Sequence, residues 1–82
     1  MRTIAELPHP DCKITIFSMN QKFIVKFEQG ALEQTYKISE LDVTGGVDGV
    51  FQLIDDEFIK AVLNLFKDMN KEFTQTYNRH EY

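Results

Sequence analysis

At 82 residues the chain is long enough for one domain and too short for two, and its 43% of hydrophobic residues is typical of a globular protein. A net charge of −4 argues against general charge-driven binding to nucleic acid or anionic lipid. No segment reaches the ~20 apolar residues that a membrane-spanning helix needs, and the single cysteine excludes an internal disulfide. We therefore expect one cytoplasmic domain over residues 1–82 that binds no membrane.

Strand-like alternation of apolar and polar residues runs through the first half of the chain. The three clearest segments, each rich in β-branched or aromatic residues, are residues 12–19, 22–28 and 32–39. Short polar or glycine-containing pairs separate them and suit two-residue hairpin turns. The sequence therefore predicts a three-stranded antiparallel meander over residues 12–39, with residues 2–7 as a candidate extra strand at the N-terminal edge.

The two predicted turns, at residues 20–21 and 29–30, also predict which residues face each other across the strands. In this register Phe27 lies between Ile14 on one side and Leu32 on the other. One face of the sheet then carries mostly apolar residues, with one serine and one amide: Ile14, Ile16, Ser18, Phe23, Val25, Phe27, Leu32, Gln34 and Tyr36. The opposite face pairs lysines with glutamates, so the pattern is that of a half-buried sheet.

An acidic, glycine-containing connector is predicted over residues 40–54. Glycines at positions 45, 46 and 49 interrupt the strand pattern, and no basic residue occurs in this segment. Its last part, residues 50–54, predicts a short helical turn that would carry Phe51 into the core.

The remaining residues, 55–78, predict one long amphipathic helix. Acidic residues crowd its start and basic residues lie toward its end, and both placements suit the helix macrodipole. Apolar residues recur at helical spacing in a single stripe: Phe58, Ile59, Val62, Leu63, Phe66, Met69, Phe73 and Tyr77. The expected fold is therefore α+β in the order βββα, with the antiparallel meander packed against this helix.

The predicted helix is longer than the predicted strands. A helix over residues 55–77 spans roughly 35 Å, whereas strands of seven or eight residues span about 25 Å. If the helix follows the strands, its last two turns extend past the sheet and carry Phe73 and Tyr77 with them. We expect a second copy of the chain to cover these apolar residues.

Two segments contain residue types that can carry chemistry. His9, Asp11 and Cys12 could belong to a zinc site or to a Cys/His nucleophilic pair, but no second cysteine completes a set of four ligands. The glycines and acids of residues 40–57 match neither a phosphate-binding loop nor the twelve-residue calcium loop. We predict no catalytic, cofactor or metal site, and we interpret both segments as structural.

The outer sheet face, opposite the helix, is the most distinctive predicted surface. The lysines there are Lys13, Lys22, Lys26 and Lys37, and the apolar residues beside them are Phe17, Met19 and Ile24. Lysines beside an aromatic ring could contact a single-stranded nucleic acid or another polyanion. Such platforms usually stack bases on two or three aromatic rings, whereas this face offers Phe17 alone. A protein contact or an ordinary solvated face fits the pattern better.

These patterns favour a non-enzymatic protein-interaction domain that forms a homodimer. The predicted contact residues are Phe17, Met19, Ile24, Phe73 and Tyr77. The alternative is polyanion binding through the four lysines of the outer sheet face. A small enzyme or ligand-binding protein with a pocket between sheet and helix is a third alternative, but no residues can be assigned to such a pocket.

Overall fold

The computed structural model describes residues 1–80 and has the predicted α+β architecture. A 3₁₀ turn at Glu40–Asp42 follows the strands. The strands and helices, in chain order, are β1 (Arg2–Leu7), β2 (Lys13–Met19), β3 (Lys22–Gln29), β4 (Leu32–Ser39), α1 (Val47–Leu53) and α2 (Asp56–Arg79). The strands form one antiparallel sheet in the order β1-β2-β3-β4, so the candidate extra strand at the N-terminal edge is confirmed as β1.

The hairpin between β2 and β3 has the predicted register. Ile14 lies opposite Phe27, and Lys13 lies opposite Glu28. The turn residues Asn20 and Gln21 have φ angles of 51° and 63°. A type I′ turn requires positive φ at both central residues, and its twist matches that of the flanking strands.

The hairpin between β3 and β4 differs from the prediction by two residues. Phe27 lies opposite Gln34 instead of Leu32, and the turn consists of Gly30 and Ala31. Gly30 has a φ of 59° and occupies the first central position, as in a type II′ turn, whereas the prediction placed it second. Because a shift of two residues keeps each side chain on its face, the predicted faces are correct although the predicted pairs are wrong.

Strand β1 pairs with β2 through an irregular ladder. Thr3 lies opposite Phe17 and Ala5 lies opposite Ile16, so Ile4 is an extra residue at a β-bulge. Bulges interrupt the row of backbone groups that an edge strand presents. The β1 edge of the sheet is therefore irregular, whereas β4 pairs with β3 without interruption.

The predicted connector contains a helix that places different residues in the core than expected. Val50 and Ile54 are buried, and Phe51 is 37% exposed, so the prediction that Phe51 enters the core is wrong. The reason is that α1 begins at Val47 instead of residue 50. Residues four apart share a helix face, so burial of Val50 and Ile54 turns Phe51 toward solvent.

The start of α2 has a complete N-cap. The Oδ1 atom of Asp55 accepts a hydrogen bond of 2.8 Å from the backbone N–H of Phe58, and Asp56 and Glu57 occupy the first turn. Carboxylates at these positions satisfy N–H groups that lack partners within the helix, and they interact favourably with its dipole.

We expect Asp55→Ala to lower the free energy of unfolding by about 1 kcal/mol, because it removes the cap acceptor. Urea denaturation followed by circular dichroism measures this change. Asp68→Ala, in the exposed middle of α2, serves as the control and should change stability by less than about 0.5 kcal/mol. Equal losses for the two variants would contradict a specific role for the cap.

The core lies between the sheet and the two helices. Its fully buried members are Ile14, Ile16, Val25, Phe27, Val50, Val62 and Phe66. At one side of this core, the ring of Phe58 meets Phe27 and Tyr36 edge to face, with centroids 5.3 and 5.1 Å away. Phe58 thus sits above the boundary between β3 and β4.

The molecule is elongated. Its principal extents are 48 × 26 × 20 Å, and its radius of gyration is 14.8 Å, against about 12 Å expected for a compact chain of this length. The 24 residues of α2 account for this shape, since they span about 36 Å. None of the helices in residues 1–80 is long and apolar enough to cross a membrane.

Candidate interaction surfaces

The segment before β2 has the geometry of a structural turn. The backbone N–H of Asp11 donates to Nδ1 of His9 at 3.1 Å, and the Gln29 side chain donates to the Asp11 carbonyl at 3.0 Å. Cys12 is buried. Burial, and secondly the negative charge of Asp11, raise the pKa of the Cys12 thiol above its ordinary value. The reactive thiolate is therefore disfavoured at neutral pH, which does not suit a nucleophile.

The acidic connector shows no metal-binding geometry. Within the part of the chain that the structure describes, no three His, Cys, Asp or Glu side chains come together in a way that could hold a metal ion. The glycines there have conformational roles instead. Gly45 and Gly46 have φ angles of 82° and 62°, and Gly46 caps the start of α1.

Two lysines of the outer sheet face are engaged by nearby acids. Lys26 Nζ lies 3.8 Å from Glu28 and 4.0 Å from Glu33, and Lys13 Nζ lies 4.0 Å from Glu6. Lys26 Nζ is also 6.0 Å from the centroid of the Phe17 ring. These contacts offset part of the positive charge that a polyanion would meet. The predicted cluster of Lys13, Lys22, Lys26 and Lys37 does share this face.

The apolar part of the outer sheet face is smaller than predicted. Ile24 is only 7% exposed, so its expected exposure is wrong, while Phe17 is half-buried and Met19 is exposed. Ile24 lies on the inner strand β3, between Phe17 on β2 and Lys37 on β4. Flanking side chains cover such a residue, and lysine stems do so while their charged ends stay in water.

The C-terminal half of α2 carries the other predicted contact residues. Phe73 and Tyr77 are each 51% exposed, and their rings meet edge to face with centroids 5.9 Å apart. Phe73 and Tyr77 continue the apolar stripe of Val62 and Phe66, two residues of the same helix that are fully buried against the sheet. The apolar stripe of α2 is thus covered by the sheet in its first half and exposed in its second.

A short chain of hydrogen bonds joins α2 to β4. The Tyr36 hydroxyl donates to Oε1 of Gln34 at 2.6 Å, and Nε2 of Gln34 donates to the backbone carbonyl of Val62 at 2.9 Å. Gln34 was predicted on the core face, where an amide needs partners. The structure supplies those partners within the protein, so Gln34 and Tyr36 have structural roles.

The outer edge of β4 is a surface that the sequence analysis did not identify. Among residues 1–80 no further strand pairs with it, and β4 runs without a bulge over eight residues. Such an edge presents unpaired backbone N–H and C=O groups to any extended chain. The predicted meander already placed residues 32–39 at one edge of the sheet, but the unpaired backbone of that edge was not considered as a contact surface.

An apolar groove runs beside this edge on the helix side of the sheet. Its volume is about 340 Å³, and its lining includes Tyr36, Ile38, Leu53 and Phe58. Leu53 is an exposed residue of α1. Leu65 follows Phe58 by two helical turns on the same side of α2, and it is 48% exposed. Leu65 lay outside the predicted stripe, although its spacing of seven from Phe58 is a helical signal.

No protein-family model matches the sequence, and no curated protein or solved structure matches it significantly.

Proposed function

We propose that the protein is a non-enzymatic protein-interaction domain that works as a homodimer. The observation that supports this proposal best is the exposure of large apolar residues along α2, with Leu65 and Phe73 each about half exposed. Burial of apolar surface contributes roughly 25 cal/mol per Å². An interface of ordinary size buries about 800 Å² on each partner, and the long helix with the adjoining groove offers an extended surface of this kind.

A second copy is the partner that we propose. The free edge strand beside the groove carries Glu33 near one end and Lys37 near the other. A surface with opposite charges at its two ends matches itself when two copies meet in opposite directions. The ion pairs of Lys13 and Lys26 weigh against polyanion binding, because any polyanion would have to compete with the glutamates.

Light scattering over a dilution series tests the proposal. We expect a mass of twice the 9.6 kDa of one chain at high concentration, falling toward one chain on dilution. Leu65→Lys should shift the equilibrium toward the monomer, because it places a charge in the proposed apolar contact. The matched control Asn64→Lys adds the same charge to the neighbouring exposed residue and should leave the dimer intact.

Phe73→Ala, Tyr77→Ala and Phe17→Ala then locate the contact. Weaker association of Phe73→Ala or Tyr77→Ala would place the C-terminal half of α2 in the interface. Weaker association of Phe17→Ala would place the outer sheet face there. A monomer at every concentration would overturn the homodimer. The cytoplasmic location stays a prediction from the sequence.

A further inference from the structure

We infer that two copies pair through β4, so that their sheets join into one continuous antiparallel sheet around a twofold axis at Thr35. The inference rests on the proposed homodimer and names its contact. It goes beyond the surfaces predicted from the sequence, since those were side-chain surfaces and, of their residues, only Lys37 lies on β4.

The backbone of β4 determines which groups are available. The N–H of Glu40 donates to the carbonyl of Gln21 at 3.1 Å, directly beyond the pair Lys22–Ser39. Hydrogen-bonded pairs alternate along an antiparallel ladder, so the even-numbered residues of β4 bond to β3. Glu33, Thr35 and Lys37 therefore direct their N–H and C=O groups toward the free edge.

Only some registers let two such edges bond to each other. Outward-directed residues must face outward-directed residues, and Thr35 opposite Thr35 of the second copy satisfies this condition. Glu33 of each copy then lies opposite Lys37 of the other, and the three pairs can exchange about six backbone hydrogen bonds. If the register slips by two residues, Glu33 and Lys37 lie opposite neutral residues or past the end of the second copy's strand. If it slips by four, Glu33 faces Glu33 or Lys37 faces Lys37.

The other face of β4 is equally self-complementary in this register. Leu32 of one copy lies opposite Ile38 of the other, and Gln34 lies opposite Tyr36. The segment Leu32–Ile38 thus presents matching residue types from either end: apolar, charged, polar, threonine, polar, charged, apolar. Opposite charges across two strands stabilise their pairing, and apolar pairs do the same on the half-buried face.

The position of α2 determines how the two helices meet in this arrangement. Phe58 contacts Phe27 of β3 and Tyr36 of β4, so the start of α2 lies above these two strands. A twofold axis perpendicular to the sheet places both α2 helices on the same side, running in opposite directions. The bond from Gln34 to the Val62 carbonyl holds the first half of α2 beside the middle of β4, where the twofold axis passes. The side of α2 that carries Phe58, Ala61 and Leu65 then faces the same side of its counterpart.

The opposite edge of the sheet does not offer the same contact. The bulge at Ile4 breaks the regular spacing of outward groups on β1. Edge strands with bulges resist pairing with another chain. Strand β4 is therefore the edge that can extend the sheet.

Amide hydrogen exchange measured by NMR tests the contact without any substitution. At concentrations where light scattering gives the dimer mass, the amides of Glu33, Thr35 and Lys37 should be protected, and dilution to the monomer should remove that protection. The amides of Gln34 and Tyr36 bond to β3 and serve as controls that stay protected in both states. A dimer whose Glu33, Thr35 and Lys37 amides exchange freely would overturn this inference and leave the homodimer standing. A monomer at every concentration would overturn the homodimer as well.

Charge reversal tests the register. Glu33→Lys and Lys37→Glu should each weaken the dimer roughly tenfold or more, since each replaces two attractive pairs by two repulsive ones. The double variant E33K/K37E restores opposite charges with the polarity exchanged, and it should recover most of the affinity. Thr35→Pro should abolish pairing while the fold survives, because the lost N–H points away from β3. Circular dichroism checks that each variant is folded. If the dimers of Glu33→Lys, Lys37→Glu and Thr35→Pro are all as stable as the wild-type dimer, the register is wrong.

Discussion

Phe27→Ala is expected to lower the free energy of unfolding by about 3 to 5 kcal/mol, and Phe66→Ala by a similar amount. Both side chains are fully buried, Phe27 beneath α2 and Phe66 above the sheet. Each truncation leaves a cavity that the small core can fill only partly. A domain of this size has a net stability of only about 5 to 10 kcal/mol, so either variant should lose a large part of it and keep roughly 0 to 7 kcal/mol.

Urea denaturation at one fixed protein concentration measures these losses, because association itself would stabilise the folded state. Phe17→Ala is the matched control, since it removes the same ring from the outer sheet face. Its loss should stay under about 1 kcal/mol, because Phe17 is only half-buried. Losses below about 1 kcal/mol at both Phe27 and Phe66 would show that the assignment of the buried face is wrong.

Gly49→Ala is expected to destabilise the protein, although alanine is the better helix former. Propensity alone would favour alanine in α1 by about 1 kcal/mol. A β-carbon at position 49 would, however, collide with the backbone carbonyl oxygen of Thr44 and lie 3.2 Å from Cβ of Val43. Overpacking of this kind costs typically about 1 to 3 kcal/mol, and a backbone neighbour has little room to move. The net effect should therefore be a loss of stability.

Thermal unfolding of Gly49→Ala beside Gln52→Ala separates the two effects. Gln52 is exposed in the same helix, so its replacement tests propensity without a collision, and it should change stability by less than about 0.5 kcal/mol. A melting temperature above that of the wild type for Gly49→Ala would mean that propensity dominates and that the chain from Thr44 to Gly49 rearranges.

The sheet could be predicted because its signals are local. Alternation identified β2, β3 and β4, whereas β1 was only a candidate, and the Asn20-Gln21 pair identified the first turn. The second turn failed because Gly30 can serve at either central position, and only the packing of β4 decides between them. The predicted faces are nevertheless correct, because the predicted and observed registers of β3 and β4 differ by two residues.

Burial was harder to predict than secondary structure. The start of α1 at Val47 carries no strong sequence signal, and an error of three residues in that start changes which side chain enters the core. Ile24 was correctly assigned to the outer sheet face but wrongly expected to be exposed, because its burial depends on neighbours from β2 and β4 together. The edge position of β4 follows from the predicted meander, whereas the exposure of Leu65 depends on how far the sheet covers α2 and cannot be derived from one segment alone.

The hydrogen bond from Gln34 to the Val62 carbonyl is a directional contact between β4 and α2. A helix held by apolar contacts alone can slide or roll at small cost, whereas this directional bond fixes α2 at one point. Seventeen residues separate Val62 from Arg79, so about 26 Å of helix extends beyond that point. A tilt of roughly 10° at Val62 would move the far end by about 4 to 5 Å. A small change in the tilt of α2 would therefore be amplified at Phe73, far from the contacts that hold the helix to the sheet.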